Sequence, residues 1–264
     1  MQKACFLDSV ALRDLPQLII YTIEMRTLVL YAMHEINDVV LHFFHHGIYD
    51  DEDVHFLIIC NSLTISLSSI LPSYVKVLYR NNKGFDFGAW AYGLLSDNIY
   101  LHYHRFVFIN STALGPFIGD SSEKKWVDTF VEMLNDSVGL IGSTINCSCQ
   151  DVISWQLSHV QTYAFAMTRK VLEHILTNCT IFRDGINKND ACHNQEIQLS
   201  RDVLKGGWNI ACFLSQYKNV DFRLPNPSVR LMDDVMWPRH KNKLWTTHEV
   251  MFVKSNRFPF IITS

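Results

Sequence analysis

Apolar and polar positions along this chain fall into short blocks. Apolar runs of strand length stand at Thr27–Tyr31 (TLVLY), Val54–Cys60 (VHFLIIC), Val75–Tyr79 (VKVLY) and Arg105–Asn110 (RFVFIN). Between them, Asp38–Phe44 places Val39, Val40, Phe43 and Phe44 at helical spacing, and Ala89–Leu95 reads as a second helix. Strands alternating with helices predict an α/β fold: a mainly parallel sheet of Rossmann type, flanked by helices. The second half is less regular. Trp126–Leu134 predicts a helix, Val138–Ile141 and Tyr163–Met167 predict strands, and Arg169–Thr177 and Gln195–Lys205 show helical periodicity. Past Asn219, prolines stand among aromatics and histidines, which predicts an irregular segment wrapping over the site.

Composition narrows the picture. At 264 residues, 48% hydrophobic and 19% charged, the chain can bury a large core, and wholesale disorder is excluded. No repeat or linker-like tract divides it, so residues 1–264 read as one domain. No apolar stretch reaches membrane-spanning length, and Asp8, Arg13 and Asp14 break the N-terminus too early for a signal peptide. The expectation is a soluble, cytoplasmic protein. A net charge of −3 argues against a nucleic-acid partner. The cysteines are odd in number, irregular in spacing and partly inside apolar runs. They read as free thiols, and the sequons at Asn110, Asn135, Asn146 and Asn178 read as chance.

In an open α/β sheet, ligands bind beyond the carboxyl ends of the strands. After the third strand comes Arg80-Asn81-Asn82-Lys83-Gly84-Phe85-Asp86, and then Phe87-Gly88-Ala89-Trp90. Backbone amides at a helix start, with Arg80 and Lys83 beside them, would make a diphosphate cradle, and glycines would let a ligand approach the backbone. The alternative is a polar turn in which Asp86 caps the helix. The fourth strand delivers Asn110-Ser111-Thr112 to its end, either as ligand contacts or as ordinary Asx-turn chemistry.

The segments RNNKGFDFGAWAYGL and FVFINSTALGPF resemble the signature of the rhamnan-synthesis-F-like glycosyltransferases, and similar sequences occur among the glycan-building enzymes of large algal viruses. VGLIGSTIN and the later THEVMFVKSNR, Thr247–Arg257, extend the likeness over most of the chain from Thr27 onward. The resemblance implies a GT-A fold that uses a nucleotide-activated sugar and a glycan or glycoprotein acceptor. Residues of about 25–120 would form the nucleotide-sugar-binding half, and about 121–264 the acceptor half with its closing tail. Host cytoplasm would be the compartment if the protein is viral.

Gln195-Glu196-Ile197-Gln198-Leu199-Ser200-Arg201 is similar to the acidic-pair helix of inverting GT-A enzymes, with Gln195 in place of the first acid. The resemblance makes Glu196 the general base, against a plain reading as a dipole-stabilised glutamate. It implies donor contacts from Tyr31, Arg80, Asn81, Asn82, Lys83, Gly84, Asp86, Asn110 and Thr112. His159 and Arg201 would face the acceptor. The usual Asp-x-Asp for Mn²⁺ or Mg²⁺ is replaced by Asn110-Ser111-Thr112, which puts metal dependence in question and leaves His240 or His248 as candidate ligands. The donor would be UDP-linked, with xylose or rhamnose as the sugar, and Phe85 or Trp90 would narrow the pocket. His42, His45 and His46 suggest zinc less than a helix face. Trp90, Trp155, Trp208, Trp237 and Trp245 offer stacking faces or core. Two rivals remain at this stage. One is a non-catalytic nucleotide-sugar or glycan-binding module with a degenerate site. The other is a dinucleotide-dependent oxidoreductase, against which the missing glycine fingerprint speaks.

Overall fold

The computed structural model describes residues 25–118, 124–147, 157–225, 235–240, 243 and 245–257. The expectations for the N-terminal segment and for Cys5, Cys149 and Trp155 lie outside the described residues.

A seven-stranded sheet runs in the order β10-β6-β9-β4-β1-β2-β3. Its strands are β1 (Thr27–Met33), β2 (Val54–Cys60), β3 (Lys76–Tyr79), β4 (Arg105–Asn110), β6 (Val138–Gly142), β9 (Ala164–Thr168) and β10 (Asn209–Cys212). All run parallel except β9, which lies antiparallel between β4 and β6. The α/β class and the mainly parallel sheet therefore stand as expected. The carboxyl ends of β1, β2, β3 and β4 consequently open on one edge, together with the start of β9. Short pairs complete the fold: β5 (Ala113–Leu114) with β11 (Val253–Lys254), and β7 (Ile145–Asn146) with β8 (His159–Val160).

The central strands are buried on both faces, which is why they read as continuous apolar runs rather than alternating ones. Helix α1 (Asp38–His46) starts on the Asn37 side chain, which accepts from the Val40 amide at 3.1 Å. Helix α2 (Phe85–Leu95) packs on β1 and β2 and is buried almost all round. Trp90 is fully buried among Phe87, Phe108 and Phe165, so it forms core and cannot narrow a sugar pocket. Trp126 and Trp245 are core as well. Helices α3 (Trp126–Val131), α4 (Arg169–Asn178), α5 (Gln198–Lys205) and α6 (Thr247–Val250) follow. The described cysteines, Cys60, Cys147, Cys179, Cys192 and Cys212, are free thiols, as their spacing suggested. Among the described residues no helix is long and apolar enough to cross a membrane.

Candidate functional site

The carboxyl edge of the sheet gathers polar groups from four distant stretches of chain. β4 ends on Asn110, whose Oδ1 accepts from the Thr112 amide at 3.0 Å and the Thr112 hydroxyl at 2.7 Å. That turn frees the Asn110 amide nitrogen to donate to Asp86 Oδ2 at 2.8 Å, across to the first turn of α2. Asp86 thus does not cap its helix. The N-cap is Gly84, in the left-handed region at φ 76°, and no side chain caps the helix. Glu196 arrives from the stretch Ala191–Ile197, where its Oε1 accepts from the Thr162 amide at 3.0 Å, just before β9. Lys254 comes from β11, whose register sets it opposite Ala113, while the Ser255 amide donates to the Thr112 carbonyl at 2.8 Å.

These groups feel one another. Desolvation pushes the Asp86 carboxyl from an ordinary 3.8 up to about 6. The Asn110 hydrogen bond opposes that rise, the Glu196 charge adds to it, and His34 and Lys254 oppose it. The folded protein therefore holds this proton to higher pH than the unfolded chain does. The resulting stabilisation is complete below about 3.8 and is lost as pH rises through about 6. The advantage of the wild type over Asp86→Asn in denaturation midpoint should therefore shrink as pH rises through that window. A difference between the two proteins that does not change with pH would mean that the carboxyl is not desolvated.

The segment after β3 behaves differently from a free phosphate cradle. Arg80 Nη2 lies 2.9 Å from Asp184 Oδ1, and Lys83 Nζ lies 3.1 Å from Asp184 Oδ2. Against the upward pull of partial burial, the two cations hold the Asp184 carboxyl below its usual range. Gly84 and Gly88, one helical turn apart, leave the space this carboxylate fills. A Cβ on Gly84 would lie 2.1 Å from Asp184 Oδ1, and one on Gly88 would lie 2.4 Å from it. In this structure both glycines admit a side chain of the same protein. The loop carrying Asp184 is fastened at several points. The Gly185 amide donates to the Gly84 carbonyl at 3.0 Å, and Arg183 grips Asp190 through two bonds of 2.7 and 2.8 Å. Gln195 Nε2 donates to the carbonyls of Ile181 and Arg183, both at 2.9 Å. A carboxylate at position 195 could not donate these bonds, which accounts physically for the amide there.

Tyr31 is fully buried and stacks on Phe43 with ring centroids 4.3 Å apart. β1 runs two residues past it to Met33, so the ring packs into the core and leaves no face for a nucleobase; His34 and Glu35 follow the strand end instead. Asn81, Asn82 and Lys83 are exposed, and Arg80 is half-buried beneath them. His159 lies on β8, where its Nδ1 donates to the Leu157 carbonyl at 2.6 Å, and Arg201 is half-buried on α5. His248 is exposed on α6, its ring 6.4 Å from that of Phe117, and the Arg239 guanidinium contacts His240 Nε2 at 3.2 Å.

The fit of a divalent ion can be judged from the donors. Asn110 Oδ1 already accepts two hydrogen bonds, and its amide nitrogen faces Asp86. Among the described residues no three His, Cys, Asp or Glu side chains come together as a metal site. Among the described residues there is therefore no all-protein cage for a hard divalent cation. Three groups at this edge carried no local sequence signal: Asp184, His34 and Lys254. Lys254 stands inside THEVMFVKSNR, but only the β5–β11 pairing brings it beside the end of β4.

Comparison with known proteins adds a family. The model of the rhamnan synthesis protein F family matches residues 56–246, well over half of the chain; β1 and the closing segment that carries Lys254 lie outside the match. Among solved structures, the chain is similar to a cytidylyltransferase from Leptospira borgpetersenii serovar Hardjo-bovis (strain JB197). The identity is 13%, the coverage 64% of this chain and 72% of that one, and the TM-score 0.37. No curated protein matches the sequence.

Proposed function

The chain belongs to the rhamnan synthesis protein F family, and from that premise we propose that it is a glycosyltransferase acting in polysaccharide synthesis. It moves a sugar from a nucleotide diphosphate donor to a hydroxyl of a glycan, with inversion at the anomeric carbon. The observation that carries this reading is the meeting of Glu196, Asp86, Asn110 and Lys254 at the carboxyl edge of the sheet. The family name favours rhamnose over xylose as the transferred sugar; UDP is the carrier to test first. Residues of about 25–120 supply most of the donor site and residues of about 121–264 the acceptor site, with Lys254 reaching from the second half to the donor.

In this mechanism one Glu196 oxygen is held by the Thr162 amide, and the other takes the proton of the acceptor hydroxyl. The acceptor oxygen bonds to the anomeric carbon as the bond from that carbon to the diphosphate oxygen breaks, and the diphosphate leaves with the electron pair. Asp86, fixed by Asn110, orients hydroxyls of the donor. Lys254 supplies positive charge to the departing diphosphate, a task that Arg80 and Lys83 perform only if the donor displaces Asp184.

Lys254→Met is therefore expected to lower transfer by about a hundredfold and to weaken donor binding. Excess chelator should leave wild-type transfer largely intact. The measurement is nucleotide diphosphate release from a panel of donors, with a rhamnose-containing glycan as acceptor. Transfer that collapses in chelator and returns with Mn²⁺ would remove Lys254 from this role.

A further inference from the structure

Two clefts flank the Asp184 side chain. One, of about 550 Å³, is lined by Asn82, Lys83 and Gly84 at the head of α2. The other, of about 460 Å³, runs along α2 past Gly88, Tyr92 and Leu95, with Arg80 in its wall. Among the described residues Asp184 is the one residue that lines both, so its side chain is the partition between them. At helical spacing Gly88 stands roughly 160° round α2 from Asp86. The partition therefore lies on the other side of the helix from the Asp86–Asn110 pair.

The two cations here are incompletely matched by this partner. One carboxylate is divided between them, Oδ1 lying 2.9 Å from Arg80 Nη2 and Oδ2 lying 3.1 Å from Lys83 Nζ. The other terminal nitrogen of Arg80, Nη1, is buried and has no hydrogen-bond partner among the described residues. It stands beside Gly88, since a Cβ there would lie 3.4 Å from it. A buried donor without an acceptor is costly, and a guanidinium is best matched by an oxyanion that takes both of its terminal nitrogens. A phosphate group does this with two oxygens, keeps a third for the Lys83 ammonium, and brings a second negative charge for the second cation. The Asp184 side chain is 35% exposed. Rotation about its own bonds takes the carboxylate into water while Gly185 and Gln195 keep the loop fastened.

We propose that Arg80 and Lys83 form a phosphate-binding site which the protein's own Asp184 carboxylate occupies at rest, and that a phosphate-bearing ligand displaces this carboxylate and joins the two clefts into one groove. The site does not require that the chain transfer sugars. Its ligand is the diphosphate of a nucleotide or a phosphate carried on another molecule, and the two share one chemistry.

The test titrates inorganic pyrophosphate, a probe without sugar or nucleoside, into the folded protein by calorimetry at low salt, with a thermal melt of each variant. Asp184→Asn keeps the shape of the side chain and removes the charge that competes for the two cations. Pyrophosphate should bind that variant about ten times more tightly than the wild type. A residue that only braced its loop would leave affinity unchanged, or lower it, when substituted. In the Asp184→Asn background, Lys83→Ala, at a side chain 74% exposed, should weaken binding about threefold with Tm unchanged. Arg80→Met in the same background should remove the gain. In the wild-type protein, pyrophosphate should move the NMR signal of the Asp184 carboxyl carbon toward that of a free aspartate, a readout that needs no variant. Displacement of pyrophosphate by UDP would assign the site to a nucleotide diphosphate, and pyrophosphate bound alongside UDP would assign it to the phosphate of another molecule. Pyrophosphate that binds Asp184→Asn no more tightly than the wild type would overturn the proposal. So would pyrophosphate that saturates the wild-type protein and leaves the Asp184 signal unmoved. Either result leaves the assignments of Glu196 and Lys254 standing, since their charges act on Asp86, on the other side of the helix.

Discussion

Glu196→Gln is expected to lower transfer by about 10²- to 10⁴-fold, the usual contribution of a positioned base, while donor affinity stays within about twofold. The substitution keeps the shape of the side chain. The amide oxygen can still accept from the Thr162 N–H, as Oε1 does now at 3.0 Å, so the loop before β9 should keep its place. Only the capacity to take a proton is lost. A second consequence follows from the charge. Glu196 contributes to the rise of the Asp86 carboxyl to about 6, so its neutralisation should lower that value. An NMR titration of Asp86 would register the shift whether or not an acceptor has been found. Unchanged transfer in the variant would exclude Glu196 as the base and leave the fold untouched. Lost transfer together with lost donor binding would make it a binding residue instead.

Gly84→Ala should be the most damaging single methyl group that can be added near the site. Two independent costs coincide there. The residue occupies the left-handed region at φ 76°, where an L side chain costs about 1–2 kcal/mol. The added carbon would also lie 2.1 Å from Asp184 Oδ1 and 2.6 Å from the Asp184 Cα. Since the second of these is backbone, rotating a side chain does not relieve it, and overpacking of this kind typically costs about 1–3 kcal/mol. A loss of about 3 kcal/mol corresponds to a Tm roughly 10 °C lower for a chain of this size. Combining the change with Asp184→Ala should return part of the loss, because that removes the carboxylate clash but not the backbone one. A melt at the wild-type temperature would mean that the Asp184 loop does not pack on the head of α2. Because the same loop holds Arg80 and Lys83, donor affinity should respond to both variants.

The parts of the fold that could be read from sequence are those whose signal is local. β2 and β4 begin and end where their apolar runs do, because both strands are buried on both faces and bounded by polar residues. α2 begins at Phe85, earlier than the periodic stretch Ala89–Leu95 suggested. Its first turn exposes the apolar Phe85 while burying Phe87 and Gly88, so it shows no amphipathic period, and the glycine before it supplies no side-chain cap. The pairing of Arg80 with Asp184 joins residues 104 apart in sequence, and no periodicity reports such a contact. For that reason the glycines of the GFDFG stretch read as openings for a ligand, when in the fold they admit Asp184. Trp90 had the composition of a sugar platform, but its position on the inner face of α2 sends it into the core. Glu196 and Asp86 were singled out from sequence, and what the fold adds is that they share an electrostatic neighbourhood with Lys254.

The most direct test of the account is calorimetric titration of the folded protein with a panel of nucleotide diphosphate sugars, each with and without chelator. The account predicts that one sugar nucleotide binds at micromolar concentration, is displaced by its bare nucleotide diphosphate, and binds equally well with chelator present. It also predicts clearly weaker binding to the Lys254→Met protein. Absence of heat from every donor, in a protein whose cooperative melt shows it to be folded, would contradict the account.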